Sequence, residues 1–176
     1  MPIVPDAKNW TWVVERACPD CGFDPAAIGY EDVPSLTRQS ASRIAEVLAR
    51  PDARVRPDDS TWSPLEYAAH VRDVCRLFDI RLAQMLRGAV DGTVPRFANW
   101  DQDETAVTDR YDQQDPAWVA TELAVAADAV AHAFESVLPD QRDRRGERSD
   151  GAAFTVDSFA RYFLHDLVHH VHDVRG

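Results

Sequence analysis

Prolines and helix caps cut this chain into four long segments, and that punctuation limits its fold more than any other feature. Proline cannot donate to the helical hydrogen-bond ladder, so it collects at helix starts and just beyond helix ends. Pro34 precedes and Pro51 ends a segment over residues 35–50, whose apolar positions are Leu36, Ile44, Val47 and Leu48. Ser63, Pro64 and Glu66 form a capping box with proline at the first helical position. The helix they start runs to Arg87, before Gly88. An alanine-rich segment over 116–138 is followed by Pro139, and alanine is the strongest helix former. The last segment runs from Val156 to Val174. Four long helices with a long second-to-third crossover predict an all-α four-helix bundle. Such bundles commonly place metal and ligand sites on facing helix surfaces. The crossover, residues 89–115, holds Pro95, Phe97, Asn99, Trp100 and Asp101 and has room for a short helix over 103–111. The charged stretch 140–150 reads as a solvated turn.

Residues 1–32 read as a short irregular N-terminal extension packed on a body formed by 33–176. Within it, Trp10 to Glu15 is aromatic and β-branched and predicts an extended strand. Cys18-Pro19-Asp20-Cys21-Gly22 looks like half a zinc knuckle, but a closed site needs four ligands and no second CxxC exists. A turn with free thiols, a redox pair and a metal role all remain open for Cys18 and Cys21. Cys75, on the second helix, reads as a small buried hydrophobe.

Composition narrows the function classes. The 176 residues suit one domain, and 45% apolar content supports one sizeable core. The net charge of −11, from 19 basic and 30 acidic residues, argues against nucleic acid and against an anionic membrane surface. No apolar run reaches the roughly 18 residues of a transmembrane helix. The start, Met1 to Lys8, lacks a basic and then apolar stretch, so no secretory signal is expected. Three cysteines are too few for a disulfide scaffold and suggest a reducing cytoplasm. Lys8 is the only lysine, which leaves one N-terminal candidate for Schiff-base chemistry. Nucleophile-elbow, Walker and dinucleotide glycine motifs are absent.

Histidine placement carries the chemistry. Of six histidines, His165, His169, His170 and His172 fall on the last helix, and His70 lies on the second. His165 and His169 are four apart, so their rings share one helix face and can meet one divalent ion. His70 lies on the side of its helix that carries Tyr67, Val74, Leu77 and Phe78, which points inward. A lone inward histidine is more often a packed core residue than a ligand. Two helices supplying one and two imidazoles would instead make a three-ligand site with an open position, the pattern of a catalytic centre. Zinc or nickel suits such donors. Asp166 and His170 are also four apart and lie nearer the apolar arc of Ala160, Phe163, Leu167 and Val171. Periodicity therefore leaves them as a rival pair, and leaves His172 as a supporting or solvated residue. Trp62, Tyr67, Asn99 and Trp100 are candidates to line a pocket. Arg81, about three turns along the His70 face, could hold an acidic substrate, although a solvated or ion-paired arginine is the commoner case.

Two stretches carry a family resemblance. Trp62 to Val71, reading WSPLEYAAHV, resembles the second-helix motif of the DinB-like superfamily, which includes mycothiol-dependent maleylpyruvate isomerases and bacillithiol transferases. Leu164 to Val171, reading LHDLVHHV, resembles its last-helix motif, and Phe97 to Asp101 resembles a loop of related proteins. The resemblance covers residues 33–175. It implies an up-up-down-down bundle with a long crossover, frequent homodimers and a divalent metal. Residue by residue, it implies His70, His165 and His169 as the ligands, with metal activation of a low-molecular-weight thiol for S-transfer or isomerisation of a small-molecule substrate. A non-catalytic metal-binding or stress-response bundle is the alternative. The His-Arg-Gly-Gln ending of many relatives is replaced here by His169-His170-Val171-His172-Asp173.

Overall fold

The computed structural model describes residues 9–89 and 91–176. Met1 to Lys8, read above for a secretory signal, lie outside the described residues. Among the described residues five α-helices follow one another: α1 Val33–Val47, α2 Pro64–Arg87, α3 Gln102–Thr108, α4 Pro116–Glu135 and α5 Val156–Asp173. The four long ones are the four that proline and caps delimit. In α2 the Ser63 hydroxyl accepts from the Glu66 amide, and the Glu66 carboxylate accepts from the Ser63 amide at 2.9 Å. Asp115 starts α4 by accepting from the Trp118 amide at 2.9 Å, and Thr155 starts α5 by accepting from the Ser158 amide at 3.1 Å. α1 stops short of residue 50 because its last turn tightens to i→i+3 bonds, such as Arg50 N–H to the Val47 carbonyl.

α4 packs between α1 and α2, and α5 packs against the same two helices. Ile44, Leu65, Leu82, Leu123, Phe134 and Leu167 are fully buried among them. α4 is, by length and composition, apolar enough to cross a membrane, contrary to the expectation that no segment is. Its Val119, Leu123, Val130 and Phe134 are buried in the bundle.

Two expectations change. The fold is mostly helical and not all-α: β1 Arg96–Phe97 pairs parallel with β2 Arg145–Arg148, which pairs antiparallel with β3 Ala153–Thr155. The stretch read as a solvated turn thus contains a strand. It docks closely on the end of α2, since a Cβ at Gly146 would meet Met85 Cγ at 2.7 Å. The second change concerns Thr11–Val14, which forms a 3-10 turn and not a strand. A lone strand would leave its backbone unpaired. Here the Val13 amide donates to the Trp10 carbonyl at 3.1 Å, and Val13 is fully buried. This segment packs against α5.

Candidate metal centres

α5 presents two stripes of donors, and the helical twist separates them. Residues 159, 163, 166 and 170 repeat at i, i+4, i+7 and i+11, the spacing of one face. That face meets α2: Phe159 and Phe163 pack on Phe78 with ring centroids 4.5 and 5.1 Å apart. Asp166 and His170 continue the stripe toward His70. His165 and His169 lie about 100° around the helix from them. They face the N-terminal segment.

The structure therefore splits the expected trio. Ligand atoms of His70, Asp166 and His170 all lie within 4.8 Å of one another, and those of His165 and His169 lie within 4.8 Å of Cys18 and Cys21. His70 shares its cluster with the pair that periodicity left as the rival. His172 belongs to neither cluster; its side chain is exposed, with Nδ1 3.7 Å from Asp173.

In the first cluster, His70 Nε2 stands 3.6 Å from Asp166 Oδ2, and His170 Nε2 stands 3.8 Å from Asp166 Oδ1. These are beyond hydrogen-bond range. They are near the roughly 3.4 Å that separates donors sharing one tetrahedral ion at bond lengths of about 2.0–2.2 Å. His70 is 1% exposed, and among the described residues neither of its ring nitrogens has a hydrogen-bond partner; Asp166 Oδ2 is also buried without one. A buried polar atom without a partner costs on the order of 1–3 kcal/mol. A divalent cation would satisfy Asp166 Oδ2 and one His70 nitrogen at once, so the donor set fits a metal. Burial holds the His70 imidazole neutral, against the pull of the Asp166 carboxylate. Burial pushes the Asp166 carboxyl up, but His170 and His70 outweigh it and keep the carboxylate ionised. Both are the protonation states that coordination needs. His170 Nδ1 donates to Asp173 Oδ2 at 2.9 Å, which turns Nε2 toward Asp166.

This cluster opens into a cavity of about 1030 Å³, whose lining includes the expected Trp62, Tyr67, Asn99 and Trp100. Trp100 stacks on His70 at 5.4 Å with planes 7° apart, and Trp62 packs beside it at 5.3 Å. Arg81 also lines the cavity. It is neither solvated nor paired with a carboxylate among the described residues. It is 5% exposed, donates to the Ala98 carbonyl at 2.7 Å and lies over the Phe97 ring at 4.8 Å. Burial, with Arg148 nearby, pulls its pKa down to about 10. Arg148 enters the cavity wall from β2, the strand hidden in the charged stretch, and pairs with Asp150 at 2.7 Å.

The second cluster has four donors, and its His165 and His169 line the same cavity. Cys18 is 1% exposed, and its Sγ lies 3.8 Å from His169 Nδ1. His169 Nε2 faces Asp173 Oδ1 at 3.8 Å, so Asp173 touches a ligand of each cluster. Sequence reading missed that bridge, although Asp173 stands at i+4 from His169 and i+3 from His170. His165 Nε2 is buried without a hydrogen-bond partner among the described residues. Burial and the neighbouring His169 lower the His165 pKa to about 4, and burial pushes the Cys21 thiol up to about 11.

The sequence matches the model of the DinB superfamily over residues 35–174. The chain belongs to the DinB superfamily. Among curated proteins no match was found. Among solved structures, the fold is similar to YfiT from Bacillus subtilis, described as a probable metal-dependent hydrolase with an unusual four-helix bundle topology. That likeness has a TM-score of 0.67 at 12% identity and covers 96% of this chain and 95% of the other, so it concerns the fold. His70, Asp166 and His170 lie within the DinB stretch, whereas Cys18 and Cys21 lie upstream of it.

Proposed function

We propose that this DinB-superfamily protein is a divalent-metal-dependent enzyme acting on a small anionic molecule. The observation that carries the reading is the set of partnerless buried atoms on His70 and Asp166, facing a large cavity with a buried arginine. His70, Asp166 and His170 would hold the ion, zinc or nickel by donor type. Bound there, it would supply a Lewis acid and an acidified nucleophile at its open position. Asp173 fixes the His170 ring. Trp62 and Trp100 keep His70 in place and exclude water from around it. Arg81 lies about 16 Å along α2 from His70, at about 1.5 Å per residue. Without a carboxylate of its own, it offers its guanidinium to a substrate carboxylate or phosphate.

Two nucleophiles suit this arrangement. Family resemblance favours a low-molecular-weight thiol of the mycothiol type, hence S-transfer or isomerisation. The cavity volume supports this reading, since substrate and thiol need room together. Two imidazoles and one carboxylate favour water, because that donor set serves metal hydrolases. The up-up-down-down helix order and a homodimer belong to the same family reading, and a cytoplasmic location rests on the small number of cysteines. The test is turnover of anionic electrophiles and esters by zinc- or nickel-loaded protein, with and without added thiol. Thiol-dependent loss of electrophile supports transfer, and thiol-independent hydrolysis supports the second reading. No turnover of either kind, together with metal-dependent stability, would leave a non-catalytic metal-binding bundle.

A further inference from the structure

We propose that Cys18, Cys21, His165 and His169 form a second, closed metal site that clamps the N-terminal segment to α5. Four donors come from two stretches of chain 151 positions apart at the Cys18–His169 contact. Their ligand atoms lie within 4.8 Å of one another, and the 3.8 Å from Cys18 Sγ to His169 Nδ1 is close to the roughly 3.6 Å expected for sulfur and nitrogen on one tetrahedral ion. His165 Nε2, buried and without a hydrogen-bond partner among the described residues, points to the same ion.

The loop is built to present its sulfurs. The Cys18 amide donates to the Phe23 carbonyl at 2.8 Å, and the Gly22 amide donates to the Cys18 carbonyl at 2.9 Å. Gly22 has φ +74°, a left-handed conformation that glycine adopts without strain. Charge supports the assignment. A divalent ion with two thiolates and two neutral imidazoles has no net charge, which suits a buried position. Binding would release the two thiol protons to solvent, with no redox change.

The coordination set has no open position, so the site is structural and not catalytic. Phe23 and Trp10 cover His165, each with ring centroids 5.5 Å from it. Trp10 also lines the large cavity, so the clamp fixes part of the cavity wall. Zinc is the ion the sulfur and nitrogen donors select over harder cations. None of its four ligands belongs to the His70 cluster, although His165 and His169 also line the cavity.

Cobalt substitution tests it. Cobalt(II)-loaded protein should show a thiolate-to-cobalt charge-transfer band. Cys18→Ser should lose the band, and His70→Ala should keep it. Extended X-ray absorption of the zinc-loaded wild type should show sulfur scattering at about 2.3 Å, a readout that needs no variant to fold. Cobalt bound without the band, a band that persists in the Cys18→Ser, Cys21→Ser double variant, or absent sulfur scattering would overturn the proposal. So would a Cys18–Cys21 disulfide, seen as a mass two hydrogens lower in protein purified under reductant.

Discussion

The two donor clusters on α5 are neighbours with opposite characters. On the face toward α2, one imidazole from α2 joins a carboxylate and an imidazole from α5, and the cluster looks into a cavity. On the face toward the N-terminal segment, two imidazoles that border the same cavity join two thiols beneath Trp10 and Phe23. Three donors leave a metal ion free to bind something else, while four close it. One six-residue stretch, HDLVHH, supplies both because its two i,i+4 pairs are one residue out of step. Asp173 hydrogen-bonds His170 and stands 3.8 Å from His169, between the two pairs.

Substitutions can separate the two faces. The largest effect is expected from His70→Ala, which removes a ligand from the open cluster alone. Turnover should fall roughly 10³-fold, the several kcal/mol that a metal Lewis acid contributes. Melting temperature should change less than in Cys18→Ser, and paired activity and melting measurements would reveal a reversal. Next is Asp173→Asn, expected to weaken metal affinity about 10–100-fold at both clusters. Competition with a chromophoric chelator reads this; a loss confined to one cluster would break the bridge. Arg81→Leu should raise KM for an anionic substrate about 10-fold with kcat much less changed. An equal KM for a neutral analogue in both proteins would assign the effect to charge.

The smallest effect concerns neither face directly and serves as a control. Burial pushes the Glu66 carboxyl up, but Arg56 and Ser63 outweigh it and hold its pKa below the usual carboxylate value. A folded-state pKa below the unfolded value of about 4.3 stabilises the ionised protein. That contribution is complete above the unfolded pKa and disappears as pH falls through the folded one. Glu66→Gln should therefore lower stability by about 1–2 kcal/mol at neutral pH. The gap to wild type in urea melts should close below pH about 4.

Helix extents were legible because their signals are local: Ser63, Pro64 and Glu66 act within four residues. The inward placement of His70 was legible for the same reason, since Tyr67, Val74 and Phe78 mark its face. The grouping of ligands was not. Family resemblance pointed to His165 and His169 as partners of His70, while the apolar arc of α5 already leaned toward Asp166 and His170. What decides is the packing of Phe159 and Phe163 on Phe78, a contact between distant segments. The missing half of the zinc knuckle was sought as a second CxxC, but its counterpart is a histidine pair on the last helix. β2 was hidden because its short strand is mostly charged and one of its two partners, β1, lies far off in sequence.

The central claim is that α5 divides its donors between two centres. Anomalous diffraction at the zinc edge, from crystals of zinc-loaded protein, tests it directly. Two peaks are predicted, one among His70, Asp166 and His170 and one among Cys18, Cys21, His165 and His169. A single peak shared by His70, His165 and His169 would contradict the account.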